Sequence, residues 1–139
     1  MLRGGARYRE RITEFSVFNG VLMNSEQLCD LVIDALEEIK ARNIIRLDVR
    51  DLTSVTDYMI VASGTSNRHV KALADAVAEK AREAKHHPIG VEGEDGSEWV
   101  LLDLQDVLVH VMLPRVREFY NLEKLWSLRP AKGLAASES

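Results

Sequence analysis

The sequence is poor in cysteine and in long apolar runs, and each shortage excludes a class of protein. A single cysteine, Cys29, allows neither an internal disulfide nor a cysteine metal cluster. No apolar run approaches the roughly 20 residues that a membrane-spanning helix requires. Residues 1–15 carry no apolar stretch after their charges, so they do not resemble a secretion signal. We therefore expect a cytoplasmic protein that does not act at a membrane.

Positive charge is also scarce outside the first residues. The whole chain has a net charge of −4, whereas residues 1–22 hold four arginines and two glutamates, which leaves −6 for the remainder. Binding to nucleic acid depends on neutralising phosphates, so an acidic body disfavours DNA as a partner. The same charge favours a basic protein partner, because opposite potentials accelerate association.

The 139 residues have room for one domain around one core. Residues 1–22 show no sustained hydrophobic period, and a regular pattern begins just after Met23. We expect Met23 to be the natural start, with residues 1–22 a disordered or non-native extension; a genuine but loosely held tail is the alternative. Residues 23–128 are expected to form the domain, and residues 129–139, which are small and polar, a flexible tail.

Hydrophobic periodicity predicts eight elements in that domain. The first helix is expected to begin at a capping box formed by Asn24 and Gln27 and to end at Asn43. The element order αββαβββα indicates a single α/β domain of α+β character, in which a mixed five-stranded sheet packs against helices. The other predicted helices cover residues 66–84 and 115–128, and the predicted strands cover residues 44–49, 58–62, 89–91, 98–103 and 107–113.

A Ser63-Gly64-Thr65-Ser66 turn lies between a buried strand and a helix. Backbone amides at such a helix N-terminus can hold an anion. The turn lacks the lysine of a phosphate loop and the three glycines of a dinucleotide loop. The pattern therefore favours an ordinary strand-to-helix turn in which Ser66 is the N-cap.

The aspartates do not have the spacing of a two-metal transferase. Such an enzyme needs carboxylates that converge on ions about 3.5–4 Å apart, which usually means two aspartates two residues apart on one strand face. Asp48 and Asp51 flank a strand end, and Asp103 and Asp106 flank a hairpin loop. Aspartates that form turns are the commoner explanation.

The histidines and the cysteine form no recognisable catalytic set. His69, His86, His87 and His110 have no second ligand at metal spacing, and Cys29 has no signature of a nucleophile. We therefore predict no metal, no cofactor and no catalytic residue.

The predicted hairpin of residues 98–113 has two different faces. Alternation places valines and leucines on one face, which is typical of a core. The mixture of aromatic, soft and polar groups on the other is typical of a protein interface, although cover by the C-terminal segment explains it as well. This mixed face carries Trp99, Leu101, Asp103, His110 and Met112.

Several motifs in register over about residues 23–127 resemble the ribosomal silencing factor family, also called Iojap-like. Gln105 is a departure, because it occupies a hairpin position that the family usually fills with glycine. That puts the turn geometry in doubt, since glycine often marks a positive φ. The motifs are TDYMIVASGTSNRHV at 56–70, GVEG at 90–93, WVLLD at 99–103, DVLVHVM at 106–112 and YNLEKLW at 120–126.

The resemblance implies a binding function and a fold related to nucleotidyltransferases. Family members attach to the large ribosomal subunit at ribosomal protein fourteen, block joining of the small subunit and so repress translation, typically when nutrients run short. Organelle relatives are linked to assembly of the large subunit. An active nucleotidyltransferase and an RNA-binding assembly factor are the alternatives. A homodimer of the free chain through the mixed face is also conceivable, because an exposed patch favours self-association.

The resemblance also assigns the contact with the ribosomal protein to Trp99 and its strand neighbours. Trp99 would be the central anchor, with Leu101 and Met112 filling around it. Asp103, Glu92 or the acidic turn at residues 92–96 would meet basic side chains of the partner. The remaining members of the expected partner-binding set are His110 and Gly93.

Overall fold

The structure is a computed structural model that describes residues 16–18, 21–93, 96 and 98–121. From the first helix onward, its elements follow the predicted order αββαβββα, so the predicted fold class is confirmed. The strands are β1 (Ser16–Phe18), β2 (Val21–Met23), β3 (Arg42–Asp48), β4 (Tyr58–Ser63), β5 (Gly90–Glu92), β6 (Trp99–Asp103) and β7 (Val107–Met112), and the helices are α1 (Ser25–Glu38), α2 (Asn67–Glu83) and α3 (Pro114–Tyr120).

A two-stranded ribbon precedes α1. β1 and β2 pair in antiparallel fashion, in a stretch where the sequence pattern predicts no strand. The rest of the predicted N-terminal extension, residues 1–15 and 19–20, and the predicted tail at residues 129–139 lie outside the described residues. None of the described helices is long and apolar enough to span a membrane.

β3 to β7 form one sheet in the order β3-β4-β7-β6-β5. β4 and β7 are parallel, and every other neighbouring pair is antiparallel, which makes the sheet mixed as predicted. β4 lies inside the sheet and is buried at all of its residues, as expected of a strand that is covered on both faces.

α1 and α2 cover one face of the sheet, which we call the helix face. Asn24 caps α1 through the predicted capping box: its side chain accepts the N–H of Gln27, and the Gln27 side chain accepts the N–H of Asn24. Small alanines let α2 approach the strands closely. The resulting core is closed and apolar, and its strand residues include Ile60, Ala62, Val100, Leu102, Val109 and Val111.

The predicted end of α1 at Asn43 is wrong. α1 ends at Glu38, and Lys40 is the residue after it that takes a positive φ, of 61°. Asn43 also has a positive φ, of 48°, but it lies within β3. There the register shifts between Arg42 and Ile45, so this asparagine serves a β-bulge.

The predicted end of the last helix at residue 128 is also wrong. α3 ends at Tyr120, because Asn121 adopts a left-handed conformation with φ 49° and donates its N–H to the carbonyl of Arg117. Asparagine tolerates this conformation better than most residues. Residues 122–128 lie outside the described residues.

Candidate protein interface

The sheet face opposite α1 and α2, which we call the open face, is only partly covered by the described residues. A small apolar cluster of Val49, Met59, Val61 and Met112 is buried on it. α3 contributes Val116 to this cover, while other side chains of the face stay half-buried. The hairpin register puts the predicted side chains on this face together, namely Trp99, Leu101, Asp103, His110 and Met112.

Trp99 is held on the open face by two ring contacts. Its indole N–H donates a hydrogen bond of 3.0 Å to Nδ1 of His110. The ring of Tyr120, at the end of α3, packs against it with 5.0 Å between centroids and a tilt of 50°. Tilted pairs of this kind are favourable for aromatic rings. Trp99 therefore has a fixed orientation while it remains half-buried.

His110 supports Trp99 from within the sheet. His110 is only 8% exposed, and this burial lowers the pKa of its imidazole to about 4. At neutral pH the ring is therefore uncharged. Because Nδ1 accepts the indole proton, the ring hydrogen resides on Nε2.

Met112 lies beneath the surface rather than on it. It pairs directly with Trp99 across the hairpin and is 0% exposed. Trp99 packs on the buried cluster to which Met112 belongs. Met112 and His110 thus lie beneath the indole ring of Trp99 and support it.

The exposed part of the predicted set converges on one groove. Glu92, Gly93, Trp99 and Leu101 line it, and it has a volume of about 410 Å³. Asp103 is not brought there. It lies at the far end of β6, where its carboxylate accepts the N–H of Gln105 at 2.8 Å.

Two aromatic residues of α3 that the expected partner-binding set does not include lie beside this groove and line a neighbouring pocket. Phe119 is 79% exposed and Tyr120 is 54% exposed, and their rings contact each other edge-on at 4.9 Å. A signal for this was present in the sequence. Adjacent residues of a helix point in directions about 100° apart, so a narrow apolar face does not bury two neighbouring aromatic rings equally.

Two amides of the turn at residues 63–66 are already engaged. The N–H of Gly64 donates to a carbonyl of β7, and that of Thr65 donates to Nδ1 of His69 at 2.8 Å. Ser66 is the N-cap of α2, which confirms the prediction. A Cβ at Gly64 would lie 2.9 Å from the backbone nitrogen of Val70, so close packing of α2 accounts for this glycine.

Asp48 and Asp103, two of the aspartates considered as metal ligands, accept backbone N–H groups in turns. Asp48 accepts the backbone N–H of Arg50 and pairs with its guanidinium at 2.7 Å, and Asp103 caps the hairpin turn. Among the residues that the structure describes, no group of three or more histidine, cysteine, aspartate or glutamate side chains is placed to hold a metal ion.

Comparison with known proteins gives consistent results. Residues 22–138 match the family described as "Ribosomal silencing factor during starvation". The chain is 52% identical over 104 residues to a protein named ribosomal silencing factor RsfS from Chromobacterium violaceum, a match that covers 75% of this chain and 85% of the relative. A crystal structure of a C. violaceum protein, 51% identical, superposes with a TM-score of 0.75 over 76% of this chain and 88% of that one.

A more distant match comes from an organelle protein. The mouse (Mus musculus) protein named mitochondrial assembly of ribosomal large subunit protein 1 is 35% identical over 103 residues. That match covers 72% of this chain and 45% of the mouse protein.

Proposed function

The chain belongs to the ribosomal silencing factor family, and from this membership we propose that it represses translation by binding the large ribosomal subunit. The docking site is ribosomal protein fourteen, on the subunit face that meets the small subunit. A protein of this size on that face excludes the small subunit sterically. The mechanism needs no cofactor, no metal and no turnover, and it operates in the cytoplasm.

The observation that carries the proposal is the fixed, half-buried Trp99 beside an open groove. Binding hot spots are enriched in tryptophan and tyrosine, and they lose less entropy when they are held in place before the partner arrives. The hydrogen bond to His110 and the packing against Tyr120 provide this order. The exposed edge of Trp99 and the side chain of Leu101 then supply the apolar contact.

Charge around the groove favours a basic partner. Glu92 is exposed on the groove wall. Apart from residues 1–22, the chain carries a net charge of −6, so its field attracts positively charged protein surfaces. Gly93, with a φ of 83°, forms the turn at the end of β5 and adds no side chain to the groove.

A role in assembly of the large subunit is the second candidate, and the name of the mouse relative favours it. The two roles differ in what the loss of the protein does to cells. An assembly role predicts fewer mature large subunits, whereas silencing predicts a normal supply of subunits and excess joining under starvation. Profiles of ribosomal particles from cells lacking the gene separate the two.

An enzymatic role as a nucleotidyltransferase has less support, because the amides of Gly64 and Thr65 already have partners within the chain. A thermal shift of several degrees with a nucleotide and Mg²⁺ would revive it. An unchanged unfolding temperature at saturating concentrations would exclude the nucleotidyltransferase role and favour the binding role.

The groove is tested by replacing its anchor. Trp99→Ala should weaken co-sedimentation with purified large subunits by about 2 kcal/mol or more, roughly thirtyfold in affinity. Trp99→Phe keeps an aromatic ring but loses the hydrogen bond to His110. Its affinity should therefore lie between that of the unmutated chain and that of Trp99→Ala. The control is Val55→Ala, since Val55 is an apolar residue 73% exposed in the loop between β3 and β4.

Circular dichroism must show that each variant is folded at the assay temperature. Folded Trp99→Ala that binds as tightly as the Val55→Ala control would exclude the anchor role. A homodimer through the open face would compete with the ribosome for this surface. Analytical ultracentrifugation of the free chain and of Trp99→Ala tests that competition.

A further inference from the structure

α3 is too short to hold its own position. It has seven residues, and Leu113 at its N-cap has no polar side chain to accept a backbone N–H. Isolated helices shorter than about 12–15 residues are marginal in water. The place of α3 on the open face is therefore set by contacts with the sheet.

Besides Val116, which packs on the buried cluster between them, two of these contacts lie at the two ends of one row of the sheet. Ser63, Met112 and Trp99 are neighbours in register across β4, β7 and β6. At one end, Nη1 of Arg117 donates a hydrogen bond of 2.9 Å to the hydroxyl oxygen of Ser63. At the other end, the ring of Tyr120 packs on Trp99.

The two ends are coupled through the helix. Arg117 and Tyr120 are three residues apart, so they lie on the same side of α3. The Arg117 residue is only 7% exposed, and Ser63 is 1% exposed. Charged side chains are seldom buried unless they are bonded, and a bond from a charged donor is stronger than a neutral one. The position of the guanidinium thus fixes the position of the tyrosine ring.

We propose that Arg117 is a positioning residue for the partner-binding surface: through its buried bond to Ser63 it places Tyr120 against Trp99. The proposal about position rests on geometry alone, whereas its effect on affinity rests on the proposed function.

Fluorescence of Trp99 tests the positioning directly. In a Trp126→Phe background, Trp99 is the single tryptophan. Arg117→Gln should shift its emission to longer wavelength in native buffer, well below the unfolding midpoint, and Arg117→Lys, which keeps a charged donor, should restore part of the original spectrum. Ser63→Ala removes the acceptor and should act like Arg117→Gln. The control is Glu118→Gln, on the exposed side of the same helix.

A role limited to stability predicts a different pattern. It would lower the unfolding midpoint and leave the native spectrum of Trp99 unchanged. An unshifted spectrum in both folded variants, Arg117→Gln and Ser63→Ala, would overturn the proposal.

Binding to purified large subunits tests the consequence. Arg117→Gln should lower the affinity about tenfold in the natural background, and should have less than about a twofold effect once Tyr120→Ala is present, since coupled residues are not additive. An equal loss in both backgrounds contradicts positioning through Tyr120. If the unmutated chain itself fails to co-sediment, the proposed function fails, and the fluorescence result still decides the role of Arg117.

Discussion

The two faces of the sheet use the same strands for different purposes. On the helix face, α1 and α2 cover a continuous layer of aliphatic side chains that are almost wholly buried. On the open face, a short helix covers part of a layer that mixes tryptophan, histidine, methionine and carboxylate groups. One face has the chemistry of a core, and the other has the mixed chemistry that is typical of a protein interface.

Leu101 and Leu102 show the difference most directly, because they are the same residue type at adjacent positions. Leu102 is 0% exposed beneath the helices, whereas Leu101 is half-buried and lines the groove. Stability and binding should therefore be separable in this fold. Substitution of a buried residue such as Leu102 should change the free energy of unfolding, and substitution of a groove residue such as Leu101 should change affinity.

The largest expected effect is that of Leu102→Ala. A cavity left by a buried leucine typically costs about 2–5 kcal/mol of unfolding free energy. Chemical denaturation measures this loss, and the affinity of the folded fraction for large subunits should stay within about twofold of the original, less than 0.5 kcal/mol.

Leu101→Ala is the matched counterpart and should do the reverse. Its cost in stability should be smaller, while the affinity should fall by at least about 1 kcal/mol, roughly fivefold. If the two variants had similar effects on both quantities, the division between the faces would be wrong.

The free energy of unfolding should also depend on pH, through His110 on the open face. The pKa of His110 is about 4 in the folded chain and near 6.5 when unfolded. Between these values the unfolded chain binds more protons, so stability is full above about pH 6.5 and falls as the pH drops toward 4. The loss from this residue is on the order of 3 kcal/mol.

His110→Gln removes the titrating group, so its unfolding free energy should fall less steeply than that of the natural chain over this pH range. Denaturation curves at several pH values measure the two slopes. Equal slopes would show that burial of His110 does not control the acid response.

The smallest effect is expected at the hairpin turn, which belongs to neither face. Gln105 has a φ of 75°, and Asp106 donates its N–H to the carbonyl of Leu104 across it. Gln105→Gly should relieve the strained conformation and raise stability by roughly 0.5–1 kcal/mol. Affinity for large subunits should not change. A loss of stability would mean that the side chain contributes more than its backbone costs.

Periodicity predicted both faces of the hairpin, because alternation of side chains is a property of each extended strand by itself. The capping box at Asn24 and the cap at Ser66 were also readable, since each depends on local backbone donors. The positive φ at Gln105 was suggested by the glycine that the family places there.

The features that the sequence did not predict depend on contacts between distant parts of the chain. Asparagine suits a helix end, a bulge or a left-handed cap equally well, so Asn43 was wrongly predicted to end a helix, and the cap at Asn121 was not predicted inside the helix expected over 115–128. The burial of Met112 beneath Trp99 depends on how α3 packs across the sheet. The ring of Tyr120 meets Trp99, 21 residues earlier, and Arg117 bonds to Ser63, 54 residues earlier. The relation of the fold to nucleotidyltransferases stays a prediction.

The central claim is that the open face, once seated on the large subunit, prevents the small subunit from joining. The most direct test mixes purified subunits with the chain at stoichiometric excess and separates the particles on a sucrose gradient. We expect the chain to replace joined ribosomes with free subunits and to migrate with the large subunit. Trp99→Ala should restore joining. Undiminished formation of joined ribosomes in the presence of the unmutated chain would contradict it.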